Sequence, residues 1–307
     1  MRSAIIEEIY NLMKENGNVY FLTGDLGYDV LEKIEAEFPN RFYNMGVAEQ
    51  NMIGVASGLA LSGKKVFVFS ITPFVTMRCY EQIRNDVCFH DLDITILGIG
   101  SGLSYGILSS THFSLEDIAI LRPLPNMTIF SPVDEIEARL GMRYFKNHHH
   151  PLYIRIGKKK EEIIYKQPYD FQYGKGVIIR PGKDVVIFAT GPIIGEALSA
   201  ADLLKEKNIE AEIINLHTIK PLDNDLIISE SQGKKLIITL EEHGIIGGLG
   251  SAVSEVIGEY LPGNRVMRFG VEDKPINIVG SQTFLRKQFC LDSIGIMDTI
   301  LKELKTY

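Results

Sequence analysis

From its first strand onward the chain alternates apolar strand-like runs with helically spaced segments, a rhythm that restricts it to parallel sheets covered by helices on both faces. Val19 to Leu22, Lys65 to Ser70, Ile94 to Ile99, Met127 to Phe130 and Leu152 to Ile156 read as buried strands. Helical spacing marks Val30 to Phe38, Thr76 to His90, Leu115 to Leu121 and Val133 to Lys146, and a first helix through Ile5, Ile9 and Met13 that Gly17 ends. In such sheets ligands sit beyond the carboxyl ends of the strands. Asp25, Glu49, Phe74 and the loop from Gly100 to His112 all follow predicted strands, so one site can collect them.

The rhythm breaks at the charge run Lys158 to Glu162 and stays broken through Pro181-Gly182, which reads as a solvated connection. The expected division is a doubly wound parallel-sheet α/β domain over 1–160, a linker over 161–183 and a smaller α/β domain over 184–307. Strands are expected in the second domain at Val185 to Ala189, Ala211 to Asn215, Lys235 to Leu240 and Val266 to Phe269, with helices at Gly195 to Lys207, Leu249 to Tyr260 and Ser293 to Leu304. A net charge of −7 argues against nucleic acid as a partner, and the apolar runs stop well short of the roughly 18 residues of a membrane span. The N-terminus puts acids into its first turns and lacks a signal-peptide core, so the expected location is cytoplasmic. Cys79, Cys88 and Cys290 have no paired spacing, and adjacent residues in His148-His149-His150 point different ways, so neither set predicts a bridge or a metal site.

Glu49 is the residue that most needs a reason. It opens a predicted helix, Glu49 to Ala60, built of Gly, Ala, Ser, Val, Ile, Leu and Met with no further charge before Lys64. A helix-start carboxylate gains from the helix dipole. A buried one without a cation nearby calls instead for a hydrogen-bonding ligand or a raised pKa, and the residues alone leave both readings open. The glycine-rich turn Glu242 to Gly250 is similarly open between a tight strand-to-helix turn and a phosphate cradle.

Five segments in order carry a resemblance: Gly24-Asp25-Leu26-Gly27, Gly46-Val47-Ala48-Glu49-Gln50-Asn51-Met52, Ser110-Thr111-His112 leading into Glu116-Asp117, Leu121-Arg122-Pro123-Leu124-Pro125-Asn126-Met127, and Glu242-His243-Gly244 through Gly250. Together they resemble the C-terminal half of transketolase, its pyrimidine-binding and C-terminal domains, as found in split transketolases where this half is a separate chain. The resemblance implies thiamine diphosphate as cofactor, with Glu49 hydrogen-bonded to the pyrimidine N1′ so that the ring can activate its own thiazolium. It makes Phe74, or alternatively Tyr80, the ring that stacks on the pyrimidine, and Asp25 a residue lining the cofactor pocket. It gives His112 contacts to the donor sugar's hydroxyls, and Arg155, with Arg78 as the weaker candidate, the acceptor's phosphate.

The chain departs from full-length transketolases at Gly100, where they carry a second phosphate-side histidine, at Leu108, where they carry an acid, and at Phe113, where they carry a polar residue. These departures point to a modified or unphosphorylated sugar as acceptor. The family's Gly-Asp-Gly motif and later Asn, which hold Mg²⁺ and the diphosphate, are missing. The resemblance therefore implies a separate partner chain that carries the diphosphate-binding domain and Mg²⁺, with a homodimeric core or two copies of each chain. The alternatives are a relative of 1-deoxy-D-xylulose-5-phosphate synthase, the beta subunit of a 2-oxoacid dehydrogenase, or a non-catalytic regulatory subunit.

Overall fold

A computed structural model describes residues 1–158 and 161–305. The first part of the chain runs α1 Arg2–Glu15, β1 Val19–Thr23, α2 Glu32–Glu37, β2 Phe42–Asn44, α3 Glu49–Leu61, β3 Lys65–Ile71, α4 Thr72–Thr76, α5 Tyr80–Gln82, β4 Ile94–Ile99, α6 Asp117–Leu121, β5 Thr128–Phe130, α7 Glu135–Phe145 and β6 Leu152–Ile156. The second runs β7 Val177–Arg180, β8 Val185–Ala189, α8 Ile194–Lys205, β9 Ala211–Asn215, β10 Thr218–Lys220, α9 Asn224–Ser231, β11 Leu236–Gly244, α10 Leu249–Tyr260, β12 Val266–Val271, α11 Gln282–Gln288 and α12 Ser293–Leu304.

The strands form two sheets, in the orders β10-β5-β6-β4-β3-β1-β2 and β12-β11-β8-β9-β7. Every neighbouring pair is parallel except the edges β10 on β5 and β7 on β9. Central strands such as β4 and β8 are buried at every residue, as expected for sheets covered on both faces. One face of the first sheet buries Ile5, Ile9, Phe21 and Phe69; the other buries Met52, Ile53, Val68 and Ile96.

Three local features differ from the sequence expectation. The helix expected over Thr76 to His90 is broken: α4 and α5 are single short turns, and Ile83–Cys88 widens into π-type turns, with the Phe89 amide donating to Arg84 O at 3.1 Å. Pro73 starts α4, and the Thr76 hydroxyl donates back to Thr72 O at 2.7 Å, a bond that competes with helix continuation. The segment expected as a solvated linker contains β7 and is fastened along its length. The Asp134 carboxylate accepts from the Ile164 and Tyr165 amides, both at 2.9 Å, and the Phe171 ring stacks on His217 at 4.6 Å. Finally, β10 belongs by chain order to the second part yet completes the first sheet, Thr218 lying opposite Phe130.

Candidate active site

The site begins where β1, β2 and β3 end side by side. Glu49, first residue of α3, is 1% exposed, and its carboxylate accepts from Ser70 Oγ at 3.0 Å and from the Arg78 guanidinium at 2.7 Å. A cation does therefore lie beside this buried acid, 29 residues further along the chain. Above the carboxylate sits Gly24, where a Cβ would come within 3.4 Å of Glu49 Oε1 and 3.1 Å of Ser70 Oγ. The absence of a side chain there keeps the approach to Glu49 open.

From Glu49 the contacts continue through four more side chains. The Arg78 guanidinium lies 4.5 Å from the centre of the Phe74 ring, which meets His112 edge-on at 5.2 Å. His112 lies 5.8 Å from the Tyr105 ring, over which Lys158 Nζ stands at 4.2 Å. His112 Nδ1 is 2.9 Å from Thr111 Oγ1. Burial first, and then the charge of Lys158, lower the His112 pKa, which favours the neutral imidazole that can take up or pass on a proton.

Of the residues singled out in the sequence, Glu49, Arg78, Phe74 and His112 thus form one contiguous group. Asp25 stands at the same sheet edge with φ +57°, its amide donating to Asn44 Oδ1 at 3.1 Å and its carboxylate accepting from Asn44 Nδ2 at 3.0 Å. Tyr80 packs beside Met52, Ile53 and Val75 in the core under α3. Arg155 is 2% exposed and turned inward: its Nε donates to Asp117 at 2.7 Å, and its Nη2 donates to Ser114 O at 3.0 Å and Glu242 O at 2.9 Å. Among the described residues no carboxylate lies within ion-pair distance of Lys158, so at the His112 side of the group Lys158 is the available cation.

Tyr105 and Lys158 were not singled out as site residues from sequence. Their signal is Gly100: it has φ +88°, and a Cβ there would lie 2.0 Å from Tyr105 Cε2. The Tyr105 ring fills the space a side chain at 100 would take. Leu108 is 43% exposed, whereas Phe113 is 3% exposed and packs into the core of the second sheet.

The glycine-rich turn after β11 already holds an anion of its own. Glu241 accepts from the Leu249 and Gly250 amides at 2.7 and 2.8 Å, which occupies the first turn of α10. A tight turn is the outcome, and the phosphate cradle is closed. His149 and His150 pair separately with Asp93 and Asp91, and among the described residues no group of three or more His, Cys, Asp or Glu could hold a metal ion. Burial pushes the thiols of Cys79 and Cys88 up to about 12.

Residues 1–162 match the transketolase pyrimidine binding domain and residues 174–296 the transketolase C-terminal domain. A chain of Methanocaldococcus jannaschii, provisionally named a transketolase C-terminal section, is 39% identical over 99% of this chain and 96% of its own length. One of the two apulose-4-phosphate transketolase subunits of Actinobacillus succinogenes is 37% identical over 86% of this chain and 85% of its own. A solved structure described as a split gene transketolase, inactive beta4 tetramer, is 33% identical, covers 99% of this chain and 97% of its own, and superposes with a TM-score of 0.87.

Proposed function

Because this chain belongs to the transketolase family as a split-type subunit made of the pyrimidine-binding and C-terminal domains, we propose that it forms half of a thiamine diphosphate-dependent enzyme that moves a two-carbon ketol unit from a ketose to an aldose. The observation that carries the proposal is the carboxylate of Glu49, buried under the bare backbone of Gly24 and joined by unbroken contact to Phe74 and His112.

The donor set suits the cofactor's pyrimidine end: a carboxylate for a ring nitrogen, an aromatic face in Phe74 and an open approach where a Cβ at 24 would intrude. Thiamine diphosphate, when bound, supplies the nucleophile and electron sink for ketol transfer. Glu49 holds and shares a proton at the pyrimidine N1′, in a site from which water is excluded by burial. Asp25 borders the cofactor pocket from the end of β1. His112, kept neutral, binds the donor's hydroxyls and moves a proton to and from them. Lys158 is the cation placed to receive an anionic end of the sugar, since Arg155 is committed to Asp117.

The diphosphate and its Mg²⁺ are assigned to a separate subunit with the diphosphate-binding domain, because this sequence lacks the Gly-Asp-Gly motif and the described residues lack a metal cluster. The related solved chain's description as an inactive tetramer supports inactivity of this half on its own. The Tyr105 ring over Gly100 favours an acceptor other than the common pentose phosphates, a specialised saccharide.

Calorimetry with thiamine diphosphate and Mg²⁺ tests the proposal. Tight binding is expected only when the chain is mixed with its diphosphate-domain partner; tight binding by this chain alone would overturn the split site. In the mixture Glu49→Ala is expected to remove most turnover with the fold intact, and tolerance of it would move the chain to a non-catalytic role.

A further inference from the structure

Arg78 satisfies two groups at once, and both are groups assigned above to the cofactor. Its guanidinium donates to Glu49 Oε2 at 2.7 Å and lies 4.5 Å from the centre of the Phe74 ring. A guanidinium is planar, cationic and rich in N–H donors, so it stacks on an aromatic ring and bonds a carboxylate in one placement. A protonated aminopyrimidine would use the same features toward the same two residues. The carboxylate is 1% exposed while the Arg78 side chain is 42% exposed, so the acid is fixed and the cation is on an arm reaching in from solvent.

We propose that Arg78 is a built-in occupant of the pyrimidine seat: in the cofactor-free chain it neutralises Glu49 and covers Phe74, and cofactor loading exchanges the guanidinium for the pyrimidine. This rests on the cofactor role proposed above for Glu49 and Phe74. A buried carboxylate with only the Ser70 hydroxyl for company would be costly, so the chain supplies its own counter-ion until the cofactor arrives. Arg78 is then a positioning residue that keeps Glu49 ionised and in place, at the expense of competing with the ligand.

Two measurements test the exchange, neither depending on turnover. The first is the thermal midpoint of the isolated chain. Arg78→Met, which retains an aliphatic stem on Phe74, is expected to lower it, and adding Glu49→Gln is expected to recover part of the loss because the stranded charge is removed. The second is the calorimetric Kd of thiamine diphosphate at saturating Mg²⁺ for the chain mixed with its diphosphate-domain partner. Removal of the competitor is expected to tighten binding in Arg78→Met by roughly tenfold. An unchanged midpoint, or an unchanged or weaker Kd in a mixture whose wild type binds normally, overturns the seat-holder role and leaves the proposed function standing. Failure of the wild-type mixture to bind at all removes both.

Discussion

At the residue scale, placement decides what a titratable group does. Lys158 stands over Tyr105 and its charge, after burial, lowers the His112 pKa. Replacing Lys158 with Met is therefore expected to let the imidazole protonate more readily. NMR titration should show the His112 pKa moving upward, and the acid limb of turnover in the assembled enzyme should move to higher pH with it. Gly100 makes a steric case: with φ +88° and the Tyr105 ring where its Cβ would go, Gly100→Ala is expected to cost about 1–3 kcal/mol by denaturant titration. Glu49 and His112 were legible in the sequence because each lies inside a short family segment. Arg78's pairing with Glu49 was not, since the two lie 29 residues apart and meet only through the break between α4 and α5.

At the scale of elements, Glu241 acts on a helix from the end of the neighbouring strand. Its two oxygens take the Leu249 and Gly250 amides, so Glu241→Ala leaves two buried donors without acceptors and is expected to destabilise the protein by about 1–3 kcal/mol, read from a chemical melt. The parallel strands were readable because a strand buried on both faces is a continuous apolar run, as in Ile94 to Ile99. The broken stretch after Pro73 was not, because its apolar spacing remains helical while side-chain-to-backbone bonds interrupt the hydrogen-bond ladder. Short elements such as α9 and α11 were also missed; each starts with a side-chain cap, Asp223 and Ser281, whose signal is too brief to stand out from turns.

At the scale of the whole molecule, two buried seams join the parts. In one, Arg155 connects Asp117 in the first part to the backbone of Glu242 in the second. Burial works against the charge of Asp117, but Arg155 beside it holds the carboxyl below its ordinary range. Arg155→Met strands that charge and is expected to cost about 3–5 kcal/mol, with Asp117→Asn recovering part of it in the double variant. The other seam contains Glu137, bonded to Asn215 at 2.7 Å, and His217, buried with its Nε2 unpartnered. Burial raises Glu137 to about 7 and lowers His217 to about 4. The folded state thus keeps a proton on Glu137 that the unfolded chain releases, and stability falls as pH rises from about 4.5 to 7. It refuses a proton at His217 that the unfolded chain accepts, and stability falls as pH drops from about 6.5 to 4. Where the windows overlap the two slopes oppose each other. Denaturant titrations across pH should show Glu137→Gln unmasking the His217 slope and His217→Phe unmasking the Glu137 slope, each up to about 1.4 kcal/mol per pH unit relative to wild type.

The pairing of β10 with β5 has a consequence for how such a protein can be rearranged over evolutionary time. A crossover between related genes placed in the connection near residue 174 would respect the two family segments but separate β5 from the strand that covers its edge. The recombinant would keep its sheet only if the incoming Thr218–Lys220 equivalent fitted Ile129 and Phe130. The two halves are therefore inherited as a matched pair, and the unit that can be exchanged is the whole chain.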